Sequence, residues 1–143
     1  MNRVVQTQPQ ASVTSAENAL GQPLLREFFL GFIKIHILHH AAREPVYGLQ
    51  LIEELRRHGY QLSPGTLYPV LHGLEKSGCL MREDRLVGGK VRKYYRATRV
   101  GEQVLGEVRA KIDELMAEVL RDEGPRTLPE TEGEGVVALT WEQ

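Results

Sequence analysis

The stretch from Ser63 to Thr98 constrains the fold of this chain more than any other part of it. Ser63-Pro64 is typical of a helix start, because serine is a favoured N-cap residue and proline suits the first helical position. The apolar spacing that follows predicts a short helix ending at Gly78. Two apolar-rich strands flanking Gly88-Gly89 then predict a hairpin. A short helix followed directly by a hairpin is typical of a winged helix.

The rest of the chain predicts further helices around this stretch. The predicted elements are helices at about 24–42, 46–58, 63–77 and 99–120 and strands at about 80–84 and 91–97. The first helix is apolar over so much of its surface that it must be buried on more than one side. We therefore expect a mainly α fold with a small β-wing, a winged helix-turn-helix.

Charge is distributed unevenly along the chain. The formal net charge is −1, but residues 24–121 contain 16 basic and 12 acidic side chains, a net charge of +4. Residues 122–143 contain six acidic side chains and one arginine, a net charge of −5. The basic central region favours a polyanionic partner. Four regions are expected: a flexible N-terminal segment (1–23), a winged helix-turn-helix DNA-binding domain (24–98), a dimerisation helix (99–121) and an acidic flexible tail (122–143).

The third helix and the hairpin contain the chemistry that suits double-stranded DNA. Backbone N–H groups at Gly65 and Thr66 can face a phosphate at the helix start, where the helix dipole favours an anion. Hydroxyls and basic side chains there and in the hairpin can reach phosphates or base edges: Ser63, Thr66, Tyr68, Lys90, Arg92 and Lys93. The alternative interpretations are a solvated basic hairpin on an unrelated domain and a winged helix that binds an acidic protein.

The last helix has an apolar face with no evident partner inside so short a chain. Its stripe consists of Val100, Val104, Val108, Ile112, Leu115 and Val119. A terminal helix with so wide an apolar face needs a second surface. We expect a second copy of the chain to provide it, with Val104, Val108, Ile112, Leu115 and Val119 forming the dimer interface.

Residues 24–121 resemble the PadR family of bacterial transcriptional regulators, and most closely its smaller subgroup with a single C-terminal dimerisation helix. The matching stretches are Leu25-Arg26, Gly31, Pro45-x-Tyr47-Gly48-Leu49, Ser63-Pro64-Gly65-Thr66-Leu67-Tyr68-Pro69, Leu74-Glu75-x-x-Gly78 and Arg92-Lys93-Tyr94-Tyr95-x-x-Thr98. The Ser-Pro-Gly-Thr-x-Tyr and Arg-Lys-Tyr-Tyr runs at this separation are specific in combination.

The resemblance implies a homodimer that binds an inverted repeat in double-stranded DNA, usually as a repressor that a small-molecule effector releases. It also implies DNA contacts from the following residues of the helix-turn-helix and the wing: Tyr47, Ser63, Gly65, Thr66, Tyr68, Lys90 and Lys93. Pro64 belongs to the same predicted DNA-binding stretch. Tyr94 and Tyr95 alternate across a strand, so we expect one to pack inward and both to serve mainly in packing.

Two features depart from the family pattern. Tyr47 stands where many relatives have histidine, and Leu49 where tyrosine is common. The last helix contains no aromatic residue, and the single tryptophan is Trp141 in the tail. The tryptophan sandwich with which some relatives bind planar drugs is therefore not expected here.

Three further features allow a sensing role. His36 and His40 share a helical face and could bind a metal or haem or sense pH, or be ordinary polar residues near an interface. Cys79 is expected to be a small buried hydrophobe, with a thiol redox switch as the alternative. The acidic tail is expected to be a solubilising segment, with autoinhibition of DNA binding as the alternative.

No catalytic motif is present, so we expect a protein that is not an enzyme and needs no cofactor. No apolar run approaches the ~20 residues that cross a bilayer, and the N-terminus lacks a signal pattern. We therefore expect a cytoplasmic, sequence-specific DNA-binding transcriptional regulator without a membrane partner. The alternative is a repressor that responds to a metal or to a redox change.

Overall fold

A computed structural model describes residues 15–121, except for the side chain of Asn18. Its elements are α1 (Ser15–Arg43), β1 (Val46–Tyr47), α2 (Gly48–Arg57), α3 (Pro64–Lys76), β2 (Leu80–Val87), β3 (Lys90–Ala97) and α4 (Arg99–Leu115), followed by a π-helical turn (Met116–Leu120). The prediction of a mainly α winged helix-turn-helix is confirmed. The acidic tail and residues 1–14 lie outside the described residues.

Helix α1 begins at Ser15 and not near Leu24. Residues 15–23 were expected to be flexible, so this expectation is wrong for the part of the segment that the structure describes. The reason is local: alanine, glutamate and leucine in this stretch favour a helix. Pro23 lies inside α1, where its missing N–H removes one hydrogen bond without ending the helix.

A third strand was not predicted. Val46 and Tyr47 were assigned to the second helix, but they form β1, which pairs antiparallel with Tyr95 and Tyr94 of β3. The sheet therefore has the strand order β1-β3-β2. Val46 is β-branched and almost fully buried, so an extended backbone that packs it against the core is favoured over a first helical turn.

The hairpin of β2 and β3 is longer than predicted. Its register runs from Leu80 opposite Ala97 to Val87 opposite Lys90. Gly88 and Gly89 both have positive φ angles, 58° and 78°, as a two-residue hairpin turn of type I′ requires. We call residues 80–97 the wing.

The core lies where the C-terminal half of α1, α2, α3 and the base of the wing meet. Its buried residues are Ile33, Ile37, Leu38, Ala41, Val46, Leu51, Leu55, Leu67, Leu71, Leu74, Cys79, Leu80, Tyr95, Ala97 and Leu105. Tyr95 is fully buried and Tyr94 is half-buried, which confirms that one of the pair packs inward. Burial raises the pKa of the Tyr95 hydroxyl, and the Glu75 carboxylate raises it further. Cys79 is buried, as expected of a small hydrophobe.

Thr98 ties the start of α4 to the base of the wing. Its hydroxyl donates to the Gly78 carbonyl oxygen and accepts from the Gly101 N–H at 3.1 Å, so it caps α4 as predicted. The Thr98 N–H donates to the Cys79 carbonyl oxygen at 3.0 Å. A Cβ atom at Gly101 would collide with that same oxygen, so only glycine allows α4 to approach this closely.

Residues 109–121 form a separate compact unit that continues α4 and ends in the π-helical turn. Four large apolar side chains of this unit are exposed: Leu115, Met116, Val119 and Leu120. No helix in residues 15–121 is both long and apolar enough to cross a membrane.

Candidate nucleic-acid interface

Helices α2 and α3 form the helix-turn-helix, and a close contact near their starts sets how they cross. A Cβ atom at Gly48 would lie 2.6 Å from the Tyr68 hydroxyl oxygen, so the glycine makes room for this tyrosine. Tyr68 was predicted to offer its hydroxyl to DNA. The structure places the side chain half-buried with its hydroxyl over the first residue of α2, which gives it a packing role as well.

The first turn of α3 is exposed at Ser63, Pro64 and Gly65. Ser63 occupies the N-cap position with φ −85° and ψ 159°, as predicted. Its carbonyl oxygen accepts from the N–H groups of Thr66 and Leu67, both at 3.0 Å. The prediction that the Thr66 N–H is available to a phosphate is therefore wrong, because a tight first turn uses that donor internally.

The hydroxyl groups of this turn face each other and not the backbone. Ser63 Oγ lies 3.4 Å from Thr66 Oγ1, and the Ser63 side chain makes no capping hydrogen bond. Both hydroxyls therefore keep capacity to bond an external group. A Cβ atom at Gly65 would meet only Ser63 Oγ, at an ordinary 3.7 Å. Nothing in residues 15–121 thus requires glycine at position 65.

A stack of two tyrosine side chains with an arginine at each end joins the wing to the helix-turn-helix. The Arg92 guanidinium lies 4.3 Å from the centre of the Tyr47 ring, and Tyr47 contacts the Tyr94 ring at 5.4 Å and 62°. Arg85 lies 4.6 Å from the centre of the Tyr94 ring. Each exposed cation–π contact contributes about 0.5–1 kcal/mol. The stack therefore holds the predicted DNA-binding residues Tyr47 and Arg92 in defined positions.

Arg85 was not predicted as part of the interface. The signal that could have revealed it is the pairing of residues 46–47 with β3, which puts Tyr47 beside Tyr94. The Arg85 side chain also donates to Glu83 Oε2 at 3.2 Å, and this hydrogen bond is the main cause of a lowered Glu83 pKa.

The basic side chains of the wing divide into two groups. Arg82 pairs with Asp84 at 3.4 Å and Arg85 with Glu83 at 3.2 Å, both within β2. Within the described part of the chain, Lys90, Arg92 and Lys93 form no ion pair. Their charges are therefore available to an external anion.

The three predicted wing cations do not share one face. Since side chains alternate along a strand, Lys90 and Arg92 lie on the face of Tyr94, and Lys93 lies on the face of Tyr95. All three cations were predicted to contact DNA, and that prediction did not separate the two faces of the strand. An anionic surface that lies flat on the face with Lys90 and Arg92 does not reach Lys93. It contacts all three cations only if the edge of the wing enters a groove in that surface.

The predicted dimerisation and metal-ligating residues lie outside the helix-turn-helix and the wing. Val104, Val108, Ile112, Leu115 and Val119 are on α4 or its final turn, and all are exposed or half-exposed. His36 and His40 are on α1, where His58 from the end of α2 joins them. His58 could not be predicted as a member of this group, because its partners are far away along the chain.

Known proteins similar to this chain are transcriptional regulators. A model of the PadR-like family of transcriptional regulators matches residues 37–107, which include α2, α3 and the wing. The chain is 52% identical over 96 residues to transcriptional regulator Rv3488 of Mycobacterium tuberculosis, covering 67% of this chain and 90% of that protein.

Solved structures are similar to most of this chain. A PadR family transcriptional regulator from Eggerthella lenta is 34% identical with a TM-score of 0.64, and the match covers 79% of this chain and 100% of that one. A PadR-like transcription factor from Bacteroides fragilis is 31% identical with a TM-score of 0.61, covering 70% and 98%.

Proposed function

Because the chain belongs to the PadR-like family of DNA-binding transcriptional regulators, we propose that it is a sequence-specific repressor that binds an inverted repeat as a homodimer. A small-molecule effector releases it from the DNA. Proteins of this family are regulators and not enzymes, which confirms the prediction that the chain has no catalytic activity.

The observation that carries the proposal is the exposed first turn of α3. Gly65 has room for a side chain in the free protein, has no positive φ angle and is exposed. A glycine at the exposed start of a helix, beside hydroxyls with free bonding capacity, lets an external surface approach the backbone closely. The unbonded capacity of the Ser63 and Thr66 hydroxyls beside it suits phosphate oxygens or base edges.

The wing supplies the nonspecific part of the affinity. Lys90 and Arg92 on one face and Lys93 on the other have no acidic partner in residues 15–121, so each can neutralise a phosphate. If a dimer neutralises about 6–10 phosphates, affinity falls by roughly 10³–10⁵ between 50 and 200 mM salt. The Arg92–Tyr47 contact also positions Arg92 near the start of α2.

Dimerisation is supported by the exposure of the α4 stripe. Leu115 is 51% exposed and Val119 is 67% exposed, while Val104 is 37% exposed. A row of valine, isoleucine and leucine at helical spacing gains stability when a second copy covers it. Two recognition helices held in this way would enter successive major grooves about 34 Å apart, which is the geometry of an inverted repeat.

A cavity of about 820 Å³ between α1 and the α2–α3 connection supports release by an effector. Its lining includes Arg26, Phe29, Leu30, Ile33, Tyr60, Leu62 and Thr66. Thr66 belongs to the first turn of α3. A ligand in this mainly apolar cavity would therefore contact both α1 and the recognition helix, and so could favour a position of α3 that does not fit DNA.

Two glycines on the same helix provide the test. DNase footprinting should first show protection of an inverted repeat near the gene for this protein or its neighbours. Gly65→Ala should then lower affinity for that operator at least about tenfold, because the new methyl group occupies space needed by DNA. Gly73→Ala is the matched control, since a Cβ there also meets nothing within 4 Å and affinity should not change.

Both alanines should leave the free energy of unfolding unchanged or raise it slightly, because alanine is the better helix former. Equal operator affinities of the two variants would remove Gly65 from the interface. A complete lack of sequence-specific protection would favour the alternative of a protein-interaction module.

A further inference from the structure

Three histidines from two helices meet at one point of the described chain. His36 and His40 lie one turn apart on α1, and His58 is the C-cap residue of α2. One imidazole nitrogen from each lies within 4.8 Å of the other two. The rings of His36 and His58 are stacked with their centroids 4.6 Å apart. Tertiary packing, and not sequence spacing alone, has brought these rings together.

From this arrangement we propose that His36, His40 and His58 bind a divalent transition metal ion through three imidazole nitrogens. Imidazole ligands suit Zn²⁺, Co²⁺, Ni²⁺ and Cu²⁺ and do not suit Mg²⁺ or Ca²⁺. A tetrahedral ion with Zn–N bonds of about 2.0–2.1 Å needs ligand nitrogens about 3.3 Å apart. The nitrogens lie within 4.8 Å of one another, so an ion would draw them closer together, and the exposed His58 is the least restrained of the three.

A carboxylate lies next to one of the three histidines. Glu54 Oε1 on α2 lies 3.9 Å from His40 Nε2. The carboxylate can orient the His40 ring or hold a water molecule that completes the coordination. Glu54 also accepts a hydrogen bond from Arg57 at 3.1 Å, which restrains its carboxylate.

The surroundings of His36 favour the form that can bind a metal. An imidazole must be neutral to act as a ligand. Burial lowers the pKa of His36, and the neighbouring His58, His40 and His39 lower it further, while Glu54 acts in the opposite direction. These effects support the arrangement of the three nitrogens, which carries the proposal.

Simple packing explains the cluster less well than a metal does. His36 also contacts the Tyr60 ring edge-on at 5.7 Å, so an aromatic residue at position 36 has a packing role. Packing alone does not require three imidazoles, since phenylalanine or leucine would fill the same space and would not have to stay uncharged. The residue type, and not only the contact, points to metal coordination.

The site would cross-link α1 to the end of α2. His58 immediately precedes the connection to Ser63, so a bound ion would restrain the segment that leads into α3. The geometry of the three nitrogens carries the metal-site proposal by itself, and metal binding is measured without DNA. If the chain is not a repressor, the metal site can still exist. If the chain binds no metal, it can still be a repressor.

Metal titration of the full chain tests the site. Chelator-treated protein is titrated with Co²⁺, whose visible absorption reports tetrahedral coordination, and with Zn²⁺ by calorimetry. We expect one ion per chain, and His58→Gln should weaken binding at least about tenfold. His58 is exposed at a helix end, so this variant should fold normally, as circular dichroism would verify. His72→Gln is the matched control, an exposed histidine on α3 outside the cluster.

A second variant extends the test into the buried part of the cluster. His36→Gln should lose the same tetrahedral absorption, and His58→Gln decides the question if His36→Gln fails to fold. Wild-type affinity in His58→Gln, or an equal loss in His72→Gln, would overturn the proposal. An absence of Co²⁺ absorption in the wild-type protein would also overturn it.

Discussion

The two halves of helix α1 carry the same kind of side chain and place it in opposite surroundings. The C-terminal half buries Ile33, Ile37, Leu38 and Ala41 in the core. The N-terminal half exposes six large apolar side chains by 41–81%: Leu20, Leu24, Leu25, Phe28, Phe29 and Phe32. Sequence pattern alone does not separate the halves, because both are rich in apolar residues.

The difference teaches which residues serve the fold and which serve a partner. A side chain that packs inside its own chain contributes to the stability of the protomer. Large apolar side chains left exposed at helical spacing instead indicate a surface that another molecule covers. Helix α4 repeats the contrast, since Gly101 and Leu105 are buried while Leu115 and the following turn are exposed.

The largest expected effect comes from breaking the exposed half of α1. Leu24→Glu combined with Phe28→Glu puts two carboxylates on the exposed apolar surface of α1, which we expect a second copy of the chain to cover together with the α4 stripe, and burying such charges is costly. We expect a monomer in analytical ultracentrifugation and a loss of operator affinity of at least roughly a thousandfold.

Lys34→Glu is the control, because it changes an exposed position of the other half of α1. That variant should remain dimeric. A dimer that persists in the double variant with operator affinity intact would show that the exposed half of α1 has another partner.

A pair of glycines on α4 sharpens the same contrast. At Gly101 a methyl group would collide with the Cys79 carbonyl oxygen, whereas at Gly106 it would meet nothing within 4 Å. Gly101→Ala should lower the free energy of unfolding by about 3 kcal/mol, as overpacking against backbone does. Gly106→Ala should raise it by about 0.5–1 kcal/mol.

Urea denaturation at one fixed protein concentration measures both values, because dimerisation makes stability depend on concentration. Similar values for the two variants would mean that α4 can shift away from Cys79 at little cost. The close contact at Gly101 would then not define how α4 begins.

The smallest expected effect distinguishes paired from unpaired cations in the wing. Lys90 has no ion pair within residues 15–121, whereas Arg82 is paired with Asp84. Lys90→Ala should weaken DNA binding uniformly across sequences and reduce the slope of log K against log salt by about 1. Arg82→Ala should change the slope less, as fluorescence anisotropy over a range of salt concentrations would show. A larger change from Arg82→Ala would contradict this assignment.

Much of the fold follows from local signals in the sequence. The Ser63-Pro64 start of α3, the glycine turn of the wing and the Thr98 cap of α4 were predicted because each depends on adjacent residues. The inward packing of one tyrosine of the Tyr94-Tyr95 pair follows in the same way from strand alternation.

The features that were missed depend on contacts between distant residues or on internal hydrogen bonds. Strand β1 exists because Val46 and Tyr47 pair with Tyr95 and Tyr94 of β3, which are far away along the chain. His58 joins His36 only when α2 packs on α1. The Thr66 N–H appeared free because the tightness of the first turn of α3 cannot be read from the residue types. Helix α1 was predicted too short because residues 1–23 are polar and show little apolar periodicity, whereas the helix begins at Ser15 and continues through Pro23.

The wing leaves the body of the protein and returns to it at nearly the same point. Its two ends are tied together, since Thr98 bonds the carbonyl oxygens of both Gly78 and Cys79. Strand β1 holds only Tyr94 and Tyr95, so residues 86–91 form an outer end that pairs only with itself. A change in the length or charge of this outer end therefore need not move α3 or α4. The reach of the wing and the fold of the protomer can thus vary independently.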